Sequence, residues 1–257
     1  RHNIWVGYSG GIIVLNPLNM EIIRHYHTGN SELHSNFVRA IAQDEKGRFW
    51  IGTFGDGLGV YSPDLQLIQT FVQREGFCSN TINQIIQDRQ KRMWMGTGEG
   101  LVCFPSTDAL TYKTYQRKDG LLNTNICAIT EDKKGNIWAG SSGDGIFLYE
   151  PDNNSFKPFN SHNSDLINDY ILDIKESLSG YLLIASNQGF SRFDMENQRF
   201  YNYNKQNGFP TTALNPYGLF VASDNEIFLS GPKMMISFFE KELNSYVKPY
   251  QLNFTSL

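Results

Sequence analysis

The chain has 257 residues, 22 Lys and Arg against 26 Asp and Glu, and a formal charge of −4. That length is ample for one large all-β or α/β domain or two small ones, and the mild acidity argues against a nucleic-acid partner, which needs clustered cations. No apolar run approaches the roughly 18 residues of a membrane-spanning helix, and Cys78, Cys103 and Cys127 are too few and too scattered for a disulfide framework or a zinc site.

No signal peptide is evident, and a start at Arg1 rather than Met is what a processed or excised segment would show. Trp5, Trp50, Trp94 and Trp138 are 45, 44 and 44 residues apart, and Gly7, Gly52, Gly96 and Gly140 each follow two residues later. Ile41, Ile85, Ile129 and Ile174 keep the same step, as do Asp44, Asp88 and Asp132 and the aromatics Tyr26, Phe71, Tyr115, Phe159 and Tyr203. The segment 1–36 opens inside a repeat, at its second strand. The next copy is the clearest, with strands at 38–43, 48–53, 58–62 and 67–72. Its turns at 44–47, 54–57 and 63–64 are where Asp, Gly and Pro interrupt a two-residue apolar alternation. Four short antiparallel strands in about 44 residues describe a β-propeller blade. Further blades start near 81, 125, 170 and 215. In the fifth unit Leu183 and Ala185 take the Trp and Gly columns; in the sixth, Phe228 stands for Trp and Gly231-Pro232 for the usual turn.

The expected fold is therefore all-β, a propeller of four-stranded antiparallel blades with about six units over 1–247. A ring of seven would need about 308 residues, so upstream blades are expected to be missing. The alternative is a ring of six in which 251–257 supplies the first strand that unit one lacks.

The run Gly47-Arg48-Phe49-Trp50-Ile51-Gly52-Thr53, with Gly57-Leu58 and Tyr61, is followed by Glu75-Gly76-Phe77 and Asn80. It recurs as Gly135-Asn136-Ile137-Trp138-Ala139-Gly140 with Gly145-Ile146 and Tyr149, and as Asp119-Gly120-Leu121 with Asn125. This pattern resembles the two-component-regulator propeller repeats of bacterial hybrid two-component sensor histidine kinases, over nearly the whole chain. The resemblance implies a periplasmic sensor of oligosaccharide breakdown products. In such receptors a β-sandwich domain, a membrane helix and a histidine kinase usually follow. It implies that 248–257 exits toward the sandwich, that phosphotransfer lies outside this sequence, and that a homodimer is one available assembly. The chain itself is not expected to be an enzyme.

The Trp column reads as packing between adjacent blades rather than as sugar platforms, since burying one such side chain is worth roughly 4–6 kcal/mol. The Asp column reads as turn residues, because each sits on a different blade's hairpin. His25 and His27 share a strand face, but the repeat places no Cys, Asp or Glu to complete a metal site, and neither metal nor cofactor is expected. No Gly-x-Ser-x-Gly elbow opens a helix, and glycine-rich turns such as Gly55-Asp56-Gly57 lack the following helix of a phosphate loop, so no catalytic residue is assigned.

In a four-stranded blade, the turns between second and third strands emerge on the same face as the loops between blades. Ligand contacts are expected there from Tyr8, Arg39, Phe54, Asp56, Glu99, Asn125, Asp144, Asn187, Tyr217 and Lys233. This rim is rich in Asn, Asp and aromatics, which suits a neutral polyol: amides and carboxylates pair with hydroxyls, and aromatic faces stack on sugar C–H groups. Turns also recruit Asn, Asp and Gly for backbone reasons alone. Arg39 and Lys233 are placed to bind one carboxylate. The alternative is a protein-interaction or dimerisation scaffold and, more distantly, a polysaccharide lyase or hydrolase.

Overall fold

The computed structural model describes residues 3–209 and 213–244, and its regular elements are β-strands joined by a few single 3₁₀ turns. The chain divides into two compact units, Arg1–Tyr115 and Gln116–Leu257. In the first unit, β1 (Ile4–Tyr8), β2 (Gly11–Leu15) and β3 (Ile22–Tyr26) form a three-stranded sheet. Two four-stranded sheets follow: β4 (Val38–Gln43), β5 (Phe49–Thr53), β6 (Leu58–Tyr61) and β7 (Leu67–Phe71), then β8 (Ile82–Gln87), β9 (Met93–Thr97), β10 (Gly100–Phe104) and β11 (Lys113–Tyr115). The second unit begins with β12 (Ile126–Glu131), β13 (Ile137–Ser141), β14 (Ile146–Glu150) and β15 (Ser155–Phe159). Its next sheet holds β16 (Ile171–Glu176), β17 (Leu182–Ser186), β18 (Gly189–Asp194) and β19 (Arg199–Tyr203), and its last β20 (Leu219–Val221), β21 (Glu226–Gly231) and β22 (Met234–Phe239).

Each sheet is an antiparallel meander with strands paired in chain order. These are six blade units of an all-β propeller arrangement, and the best repeat's strand limits match the sequence expectation to within a residue. The first sheet does open at the second-strand position. The exit strand expected at 248–257 and the ring-closing segment 251–257 lie outside the described residues.

The Asp and Trp columns form one device. Asp44 Oδ1 accepts the backbone N–H of Lys46 and of Arg48, both at 3.0 Å, while Oδ2 accepts Arg48 Nε at 2.8 Å and Trp50 Nε1 at 2.9 Å. Asp88 receives Trp94 Nε1 at 2.8 Å and Asp132 receives Trp138 Nε1 at 3.0 Å. A buried indole N–H needs an acceptor, and a carboxylate that already caps the turn supplies one. Where the Trp is lost the Asp is lost too: Ser177 accompanies Leu183, and Ala222 accompanies Phe228.

These indoles pack between consecutive sheets, as the spacing implies. Trp5 meets Phe49 at 4.4 Å between ring centroids, Trp50 meets Phe104 edge-on at 4.9 Å, and Trp138 meets Phe193 at 5.8 Å. The Gly column seats the next sheet's first strand. A Cβ on Gly52 would lie 2.5 Å from Ile82, and on Gly7 or Gly140 it would lie 2.6 Å from Val38 or Ile171.

Candidate functional site at the loop end of the blades

Within each unit, the turns between second and third strands are tied to the loops between sheets. Phe54 N–H donates to Phe37 O at 2.9 Å, and Gly55 and Gly57 N–H both donate to Asn80 O. In the second unit Ser142 N–H donates to Asn125 O, Gly145 N–H to Asp169 O, and Asn187 N–H to Tyr170 O. A hydroxyl column, not singled out from the sequence, locks each turn: Thr53, Thr97, Ser141 and Ser186 donate to the carbonyls of Gly57, Gly100, Gly145 and Gly189. Each hydroxyl also accepts a turn N–H, from Asp56, Glu99, Asp144 and Gln188 respectively. Its only sequence signal is a Thr or Ser closing the second strand of each four-stranded sheet, where the first sheet has Tyr8 and the last Gly231. In the loops, Gly76, Gly120 and Gly208 adopt φ near +90°, which turns the chain so that Phe77, Leu121 and Phe209 enter the core.

The first strand of each four-stranded sheet carries a β-bulge in one place. Register slips by a residue between Val38 and Ala40, Ile82 and Gln84, Ile126 and Ala128, and Ile171 and Asp173. The unpaired residues are Arg39, Asn83, Cys127 and Leu172. A bulge re-aims its side chain off the ladder.

In the first unit this brings two expected residues together. The Arg39 guanidinium lies 5.1 Å above the Phe54 ring, and its Nη1 donates to Asn83 Oδ1 at 3.0 Å. Phe54 is 60% exposed, and Phe37, bonded to it through the backbone, is 54% exposed. Phe37 and Asn83 were not among the expected contacts. Asp56, on the same turn as Phe54, accepts Ser35 Oγ at 2.6 Å.

Next to it, the Tyr61 hydroxyl receives the His34 backbone N–H at 3.0 Å and pairs with His34 Nδ1 at 2.6 Å. Burial holds His34 below its ordinary range, opposed by the Asp56 charge, and pushes Tyr61 up to about 12. Glu99 bonds instead to Gln73 Nε2, and Tyr8 to His25 Nε2 at 2.8 Å. His25 also reaches Gly10 O, and His27 accepts Gly29 N–H, so both rings serve turns.

In the second unit, Asn125 and Asp144 are half-buried and joined to the turn frame through their backbones. Asn187 and Lys233 are exposed. Tyr217, at φ +57°, lines a cavity of about 420 Å³ with Gly218, Phe220, Phe228, Ser230 and Met235. Phe228 and Ser230 hold the Trp and Gly columns of their sheet, so this is the surface on which earlier sheets seat a following first strand. Among the described residues no group of three or more His, Cys, Asp or Glu is placed to hold a metal ion, and no helix is long and apolar enough to cross a membrane.

Three segments, 32–55, 76–99 and 120–143, match the family described as Two component regulator propeller. The chain carries two-component-regulator propeller repeats. Each matched segment runs from an inter-sheet loop through the bulged first strand and the Asp turn to the end of the second strand. Among solved structures, the chain is similar to the extracellular domain of BT3049 from B. thetaiotaomicron, a protein assigned to the hybrid two component systems, at 45% identity and a TM-score of 0.71. That similarity covers 76% of this chain and 26% of the other, so this chain spans about a quarter of that relative's length.

The fold also matches virginiamycin B lyase from Staphylococcus aureus at 14% identity, with a TM-score of 0.66 over 86% of this chain and 70% of the lyase. PorZ of Porphyromonas gingivalis matches at 15% identity and a TM-score of 0.67, over 92% of this chain and 37% of PorZ. At those identities only the architecture is shared. No curated protein matches the chain.

Proposed function

We propose that this chain is the extracytoplasmic, periplasmic ligand-sensing propeller of a hybrid two-component sensor, and that its ligand is an oligosaccharide. The observation that carries the receptor reading is the 45% identity to the extracellular domain of BT3049. The sugar reading is supported by the loop end of the first unit, where exposed Phe54 and Asp56 share a turn, Phe54 carries the Arg39 guanidinium held by buried Asn83, and exposed Phe37 is bonded to Phe54 through its backbone. Aromatic faces and convergent amide and carboxylate groups are what a polyol ligand requires.

Within each unit the buried columns tie consecutive sheets together, and the change leaves toward the β-sandwich and kinase regions through 247–257. A ligand signals only by binding one arrangement of the receptor better than another. A thermal-shift screen of the chain against neutral and acidic oligosaccharides tests this. Ligand at about 100 times its Kd should stabilise the fold by roughly 2.7 kcal/mol, and a folded protein that responds to no sugar class overturns it.

A further inference from the structure

Four bulge residues occupy one backbone device, yet they are Arg39, Asn83, Cys127 and Leu172. The neighbouring positions are uniform, with Val38, Ile82, Ile126 and Ile171 just before the bulge, all buried. A constant frame that presents a changing side chain separates recognition from packing. Leu172 and Asn83 are themselves buried and Cys127 is half-buried, so of the four only Arg39 is open to solvent, with Asn83 holding it from below.

Arg39 is exposed, whereas Arg48 and Arg92 are each paired to a buried carboxylate of their own turn. Among the described residues Arg39 has no carboxylate partner; its bonds are the single one to Asn83 Oδ1 and the ring contact with Phe54. A guanidinium has five N–H donors in a planar fork that matches a carboxylate with two parallel bonds. The cation–π contact with Phe54 and the bond to Asn83 restrain that side chain before a ligand arrives, which lowers the ordering cost of binding. Exposed Phe54 and Phe37 beside it offer faces for a pyranose ring.

We propose that Arg39, held by Phe54 and Asn83, binds the carboxylate of a uronic acid, so that the oligosaccharide accepted by this site is acidic. This rests on the sugar-sensing reading and names the ligand class within it.

Isothermal titration of the full chain tests it with two probes, a galacturonic-acid oligosaccharide ladder and the same ladder after carboxyl reduction to galactose. The expected result is binding of the acidic ladder at least about tenfold tighter than of the reduced one, weakening as salt rises. Arg39→Gln should remove that preference, bringing the acidic ladder's affinity down to about that of the reduced ladder. Arg39→Lys, which keeps the charge but loses the fork, should recover only part of it. The unmodified chain's salt dependence needs no variant, so a poorly folded substitution does not block the test. Equal binding of both ladders, or an unchanged preference in Arg39→Gln, overturns the proposal and leaves the sugar-sensing reading standing. Binding of neither ladder, while other uronate oligosaccharides also fail and neutral ones succeed, overturns it in the same way. Failure of every sugar overturns both.

Discussion

Asp88 is 2% exposed, and its carboxylate receives Arg92 Nε at 2.5 Å, Trp94 Nε1 at 2.8 Å and the Arg92 backbone N–H at 2.8 Å. Asp88→Ala therefore strands an indole N–H and a guanidinium in the same buried turn. The expected loss is about 3 kcal/mol, read as a lowered urea midpoint. The fifth sheet supports this logic, since Ser177 stands where Leu183 has removed the indole that needed an acceptor.

His34 acts in the opposite electrical sense. Burial lowers its pKa from 6.5, although Asp56 pulls it up. Between the lowered value and 6.5 the unfolded chain binds more protons than the folded one, so this contribution is complete above pH 6.5 and is lost as pH falls below it. Denaturant melts at a series of pH values should show that slope, and His34→Gln should flatten it.

At the scale of the element, the strands were legible in the sequence because their signals are local. Apolar alternation marks 38–43 and 49–53, and the Asp44–Gly47 turn between them carries its own chemistry, with Gly47 N–H returning to Asp44 O. The bulges were not legible. One extra residue between Val38 and Ala40 leaves the composition of the strand unchanged, and only pairing with β5 reveals it. Phe37 escaped notice for a related reason: it precedes the strand, and only its bond to the Phe54 turn places it at the site.

Interblade packing makes a sharper prediction. Gly52→Ala would put a methyl 2.5 Å from Ile82, with an expected cost of about 1–3 kcal/mol. In the Gly52→Ala, Ile82→Ala double variant the two losses should sum to less than their separate values, because each removes the other's clash or cavity. Additivity in a double-mutant cycle would deny that these positions interlock.

For the molecule as a whole, repetition made the frame readable and left the site obscure. Trp, Gly, Asp and Ile columns recur because every blade must solve the same packing problem, so several independent columns agree. Arg39 and Phe54 have no such copies: the equivalent residues are Asn83 and Gly98 in the next sheet, and Cys127 and Ser142 in the one after. Of the ten expected contacts, Arg39 and Phe54 are joined directly, Asp56 shares the Phe54 turn, and Tyr8 and Glu99 bond to other partners. In the second unit Asp144, Asn187 and Lys233 stand on turns between second and third strands, while Asn125 and Tyr217 lie in the loops before first strands, Tyr217 beside an apolar cavity.

Hydrogen exchange with and without the sugar class that gives the largest thermal shift tests most directly whether ligand is read at the loop end. The expected result is added protection in 34–39, 54–57 and 80–83, with the strand centres and the Asp turns at 44–47 and 88–91 unchanged. Protection confined to those Asp turns or to strand centres would contradict a loop-end site, and so would a bound sugar that leaves 34–39 and 54–57 exchanging as before.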